Sequence, residues 1–125
     1  MATVLIVEDD ADIRTIWTDT LTQAGHVVNT ANDGVQAIKQ MGSQRYDVIL
    51  FDLLLPRLSG LDAIKLIRRT EPNLPILVIT GAQESELTRQ VRAAGVQHIL
   101  PKPVDLDELR QMVNALAPSK PKHSV

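Results

Sequence analysis

TVLIVEDD, residues 3–10, is a β-branched run that stops abruptly on three acids. Nothing polar interrupts Val4 to Val7, which is how a strand reads when helices cover both of its faces. The next stretch, Ala11 to Ala24, changes period. It places Ile13, Trp17, Leu21 and Ala24 at helical spacing, with Asp10 available as N-cap and Gly25 as a stop. One strand followed by one amphipathic helix is the unit from which the remaining sequence can be read.

That unit recurs outward along the chain. His26 to Thr30 reads as an edge strand, and Gly34 to Met41 as a short helix with Val35, Ile38 and Met41 on one face. Asp47 to Phe51 is the most apolar strand, followed by a loop punctuated by Pro56 and Gly60 and a helix from Leu61 to about Thr70. Pro75 to Ile79 is a fourth strand. Leu87, Val91 and Ala94 mark a fourth helix before Gly95, and Gln97 to Leu100 is a short fifth strand. Asp105 and Glu108 have capping-box spacing at the head of a last helix that aligns Leu106, Leu109, Val113 and Leu116. The alternation predicts an α/β fold, (βα)5, with a doubly wound parallel five-stranded sheet and helices on both faces. Right-handed crossovers favour the flavodoxin-like order 2-1-3-4-5. Residues 1–117 form the expected domain, and 118–125 (PSKPKHSV) read as a disordered tail or linker stub.

Composition narrows the function classes. A chain of 125 residues favours one domain, and 44% hydrophobic residues is ordinary for a globular protein. A net charge of −2 offers no electrostatic footprint for direct nucleic-acid binding. The absence of cysteine excludes thiolate chemistry. The apolar start is too short for a signal peptide or membrane span, so the expectation is a cytoplasmic protein without membrane contact.

Five polar residues stand at the ends of the apolar runs: Glu8, Asp9, Asp52, Thr80 and Lys102. If the runs are parallel strands, these groups converge at the sheet's carboxyl edge, where open α/β sheets bind ligands. Carboxylates this close repel one another, and a hard cation such as Mg²⁺ removes the conflict. A carboxylate can attack phosphorus to give an aspartyl-phosphate, with positive charge neutralising the transferring oxygens.

The stretches VLIVEDDADIR, YDVILFDLLLPRLSG, PILVITG and LPKPV together resemble the response-regulator receiver domains of two-component signalling over about residues 3–117. The resemblance implies that Asp52 is the phosphoacceptor and Mg²⁺ the cofactor. Asp9 would ligate the metal directly, Glu8 mainly through water, and Leu54 through its backbone carbonyl. Thr80 would be the switch hydroxyl. Lys102 would pair first with Asp52 and then with the phosphoryl group, and the Lys102-Pro103 bond would be cis. A sensor histidine kinase or histidine phosphotransfer protein would be the donor. A homodimer could form through the face made by the fourth helix, fifth strand and fifth helix, whose charges include Glu84, Glu86, Arg89 and Arg92. Such a domain catalyses only its own phosphorylation and dephosphorylation, and it controls a partner or an output domain.

Two positions depart from the family's habits. Ile99 stands where a receiver often carries an aromatic switch residue, with His98 before it as a substitute. Leu54 and Ala82 cannot orient an attacking water, so slow self-dephosphorylation is expected. Other readings fit less well. A flavin module would not place Glu8, Asp9 and Asp10 where phosphate is cradled. A phosphohydrolase resembling the haloacid-dehalogenase family needs a second acid where Leu54 stands. A pseudo-receiver would not need all five polar positions. Elsewhere, Trp17 is expected in or near the core, His26 and the Arg68–Arg69 pair in solvent, and Asp62 near a helix N-terminus.

Overall fold

The computed structural model describes residues 1–53, 60–81 and 85–117. Its elements alternate throughout: β1 (Thr3–Val7), α1 (Ala11–Gln23), β2 (Val27–Ala31), α2 (Gly34–Ser43), β3 (Val48–Asp52), α3 (Gly60–Thr70), β4 (Ile76–Thr80), α4 (Glu86–Ala93), β5 (His98–Pro101) and α5 (Leu106–Leu116). The strands form one parallel sheet in the order β2-β1-β3-β4-β5, as the alternation predicts. Leu54, Ala82, Glu84 and the tail 118–125 lie outside the described residues.

Strand alternation divides the core into two layers. Leu5, Val7, Ile49, Phe51, Ile76 and Val78 pack with Ala37, Ile64, Ile67 and Val91 of α2, α3 and α4. Val4, Ile6, Val48, Leu50, Leu77 and Ile79 point the other way, onto Trp17 and Leu21 of α1 and Leu109 and Val113 of α5. Every residue of β3 and β4 is buried, which accounts for their unbroken apolar sequence.

The helix ends follow local chemistry. Asp10, Asp33, Ser85 and Asp105 cap the N-termini of α1, α2, α4 and α5. The full reciprocal capping box belongs to Ser85 and Thr88. Helices α1 and α4 both stop at a glycine in the left-handed region, Gly25 (φ 96°) and Gly95 (φ 100°).

Two side chains expected in solvent are structural. His26 is 6% exposed. Its Nδ1 accepts from the Ala2 N–H at 3.0 Å, and its Nε2 lies 2.7 Å from Asn114 Oδ1. An accepting Nδ1 requires the neutral ring with the proton on Nε2, so the imidazole joins the start of the sheet to α5. Arg68 donates to the carbonyls of Glu71 (3.0 Å), Leu74 (2.7 Å) and Gly95 (3.1 Å). It satisfies main-chain acceptors where α3, the entry to β4 and the α4–β5 turn meet. Arg69 is exposed as expected, and Asp62 lies in the first turn of α3.

Gly60 opens α3 against the residues that follow Asp52. A Cβ there would lie 2.9 Å from the Leu53 carbonyl oxygen and 3.2 Å from that of Asp52. Gly42 of α2 faces open space. Gly60→Ala should therefore destabilise the fold by about 1–3 kcal/mol. Gly42→Ala should stabilise it by up to about 0.5–1 kcal/mol, as expected for a helical glycine replaced without a clash. Urea unfolding of the two variants checks the opposite signs.

Candidate functional site

The parallel register brings the polar strand ends together. Val7 pairs with Phe51, and Phe51 and Asp52 pair with Val78 and Ile79. Glu8 and Asp52 therefore emerge on neighbouring central strands, where the chain turns to opposite faces of the sheet. One strand further, Thr80 pairs with Pro101. The Lys102 N–H donates to the Thr80 carbonyl at 2.9 Å, which fixes where the lysine leaves β5. All five polar residues expected at the carboxyl edge are thus at that edge.

Carboxylate oxygens of Glu8, Asp9 and Asp52 lie within 4.8 Å of one another. Glu8, Asp52 and Thr80 are buried, whereas Asp9 is exposed at the rim. Lys102 Nζ donates to Asp52 Oδ2 at 2.8 Å and reaches Glu8 Oε1 at 3.4 Å. The other Glu8 oxygen accepts from the Asp10 N–H at 3.1 Å. Lys102-Pro103 is cis.

The electrostatics of this cluster are lopsided. Burial raises the Glu8 carboxyl from 4.5 to about 7; the Asp52 charge and the Asp9 contact add to the rise, and the Asp10 N–H and Lys102 oppose it. Burial alone would lower the Lys102 pKa, but Asp52 and then Glu8 outweigh it and the net direction is upward. The ammonium therefore stays charged. An all-oxygen, carboxylate-rich donor set suits a hard divalent ion such as Mg²⁺. Glu8, Asp9 and Asp52 are the described side chains that could hold one.

His98 does not take the place of an aromatic switch. It pairs with Leu77, far down the ladder from Thr80, and lines a cleft at the amino edge with Arg68 and Leu116. Strand alternation sends Ile99 to the core layer shared with α3 and α4. Arg14 is a neighbour of the site that the apolar pattern did not disclose. Its Nη1 donates to the Glu8 carbonyl at 2.8 Å. The signal available in the sequence was a cation in the first turn of a helix, where the dipole disfavours it.

Comparison with known proteins agrees with this geometry. A family model described as the response regulator receiver domain matches residues 4–114. The response regulator MprA of Mycobacterium ulcerans is 39% identical over 113 residues, which are 90% of this chain and 49% of that protein. The chain therefore spans about half the length of that relative. Chemotaxis protein CheY4 of Vibrio cholerae superposes with a TM-score of 0.87 at 32% identity, covering 93% of this chain and 98% of that one. The receiver domain of sensor histidine kinase PA1611 from Pseudomonas aeruginosa superposes with a TM-score of 0.85 at 32% identity, covering 92% and 96%. That structure is described with a magnesium ion coordinated in its active-site cleft.

Because folded Glu8 holds its proton up to about pH 7 against 4.5 ordinarily, folding takes up protons in that interval. Stability contributed by this group falls as pH rises through it. In the presence of a chelator, Glu8→Gln should stabilise the protein by about 1–2 kcal/mol at pH 8 and change it little at pH 5. Thermal melts at the two pH values test this; an equal change at both would contradict the assignment.

Proposed function

The chain belongs to the response regulator receiver domain family, and from that membership we propose that Asp52 accepts a phosphoryl group and that residues 1–117 act as one receiver unit. The observation that carries this reading is the Asp52 carboxylate held at 2.8 Å by Lys102 beside two further acids. The donor is a phosphohistidine of a sensor histidine kinase or histidine phosphotransfer protein. An Asp52 oxygen attacks phosphorus, the P–N bond breaks, and its electron pair returns to the imidazole nitrogen, leaving an acyl phosphate.

Lys102 holds the nucleophile before transfer and then follows the charge to the phosphoryl oxygens. Thr80, buried at the end of β4, supplies a hydroxyl to the same group. The carboxylates of Glu8, Asp9 and Asp52 would hold Mg²⁺, with the Leu54 carbonyl as a further ligand by family resemblance. Bound there, the ion would neutralise charge on the transferring oxygens. The chain turns over only its own phosphoryl group, and loss is slow because Leu54 and Ala82 bring no group able to orient water.

A groove of about 450 Å³ beside Lys102 supports a protein as donor. Its lining includes Ile13, Ile16, Trp17, Val104 and Leu106, of which Ile16 is 48% and Leu106 38% exposed. Apolar surface of this kind suits the side of a partner helix. The face of α4, β5 and α5 is the surface offered for response and for homodimer formation; Glu86, Arg89 and Arg92 are exposed on it. Nucleic acid is not contacted directly. No helix among the described residues is long and apolar enough to cross a membrane, which is compatible with a cytoplasmic setting.

Acetyl phosphate with Mg²⁺ should add one phosphoryl group to the Asp52 peptide, read by mass spectrometry. A chelator or Asp52→Asn should abolish the adduct, and Lys102→Met should slow its formation by about 10²-fold. An adduct that persists in Asp52→Asn would overturn the assignment.

A further inference from the structure

Arg14 is placed against the helix dipole and close to the acidic pocket, yet it belongs to no assigned function. It lies in the first turn of α1, just after the N-cap Asp10, where a cation is disfavoured unless something else holds it. What holds it is the Glu8 carbonyl, 2.8 Å from Nη1. The ladder between β1 and β2 ends at Val7↔Ala31, so that carbonyl lies beyond the last paired residues. Arg14 supplies it a donor from the helix, partly buried as it does so.

Glu8 is consequently fixed at every polar group. Its N–H donates to the Ala31 carbonyl at 3.0 Å and its C=O accepts from Arg14. One side-chain oxygen accepts from the Asp10 N–H and the other faces Lys102. The Asp10 carboxylate in turn accepts from the N–H groups of Asp12 and Ile13. The turn from Glu8 to Asp10 is thus locked to α1 from two sides, and that turn aims two of the pocket's three carboxylates.

We propose that Arg14 is a positioning residue for the acidic pocket: by holding the Glu8 carbonyl it sets the direction in which Glu8 and Asp9 present their carboxylates to a divalent cation. The inference rests on the reading that this pocket takes Mg²⁺. Charge and position here have opposite signs. A cation next to the pocket opposes a divalent ion by Coulomb repulsion, so a purely electrostatic Arg14 weakens binding and its removal tightens it. A positioning Arg14 strengthens binding, and its removal weakens it even though one positive charge is lost.

The experiment compares the full chain, Arg14→Met and Arg14→Lys in two measurements. Calorimetric titration with Mg²⁺ should show affinity about tenfold or more weaker in Arg14→Met. Arg14→Lys, which keeps a donor and the charge, should fall between that and the wild type. Amide exchange in chelator, read by NMR, should show the Glu8 and Asp10 protons exchanging faster in Arg14→Met while those of Leu50 and Val78 stay protected. If the wild type binds Mg²⁺ and Arg14→Met binds it equally or more tightly, the proposal is overturned. Unchanged exchange at Glu8 and Asp10 overturns it as well. A wild type that fails to bind Mg²⁺ refutes the metal reading instead, and the exchange data still decide whether Arg14 holds the turn.

Discussion

Three carboxylates converge at one edge of the sheet, and among the described residues the Lys102 ammonium faces the two buried ones. Everything distinctive about this molecule follows from that imbalance. Parallel pairing of β1 with β3 fixes the approach of Glu8 to Asp52, and a slip of either strand would exchange residues between two differently packed core layers. The fold therefore imposes repulsion at the site, and the Lys102–Asp52 contact and the uptake of a proton by Glu8 near pH 7 relieve part of it. A divalent cation would offset the surplus negative charge and, with Lys102, leave the edge able to accept the further negative charge that a phosphoryl group brings, which is why the arrangement suits both rather than an ordinary ion pair.

The surrounding structure holds this edge in place from several directions. The main-chain bond from Lys102 to Thr80 makes the position of the lysine a property of the β4–β5 ladder. A movement of the ammonium toward a phosphoryl group is thereby linked to the strand end that carries Thr80. On the other side, Arg14 and Asp10 tie the β1–α1 turn to the first turn of α1. Gly60 allows the start of α3 to approach the main chain just past Asp52, where any Cβ would collide with backbone. The two core layers supply the rigidity on which these contacts rest.

Much of this was legible in the sequence because apolar runs and their terminating acids are local signals. The element order, the sheet order and the convergence of Glu8, Asp9, Asp52, Thr80 and Lys102 all follow from alternation and chain topology. Several strands nevertheless begin and end one residue later than hydrophobicity suggests. Asp52, Thr80 and Pro101 continue the backbone ladder although their side chains end the apolar run. Backbone pairing does not stop where side-chain polarity changes. His26, Arg68 and Arg14 were not legible because each serves a main-chain group contributed by another element. A polar residue that satisfies a distant carbonyl or N–H looks in sequence like any solvated one. His98 failed for a geometric reason: a neighbour in sequence on a strand lies on the opposite face.

If a divalent ion offsets the surplus negative charge at the carboxyl edge, Asp52 can take up a phosphoryl group and Lys102 can change partner to it. A crystal structure with Mg²⁺ and beryllium trifluoride, a non-hydrolysable phosphoryl mimic, tests it most directly. The expected result is the fluoride group on Asp52, Mg²⁺ among the carboxylates of Glu8, Asp9 and Asp52, and Lys102 Nζ moved from Asp52 Oδ2 to a fluorine. An Asp52 carboxylate left bare and still paired with Lys102 at saturating concentrations of both ligands would contradict it.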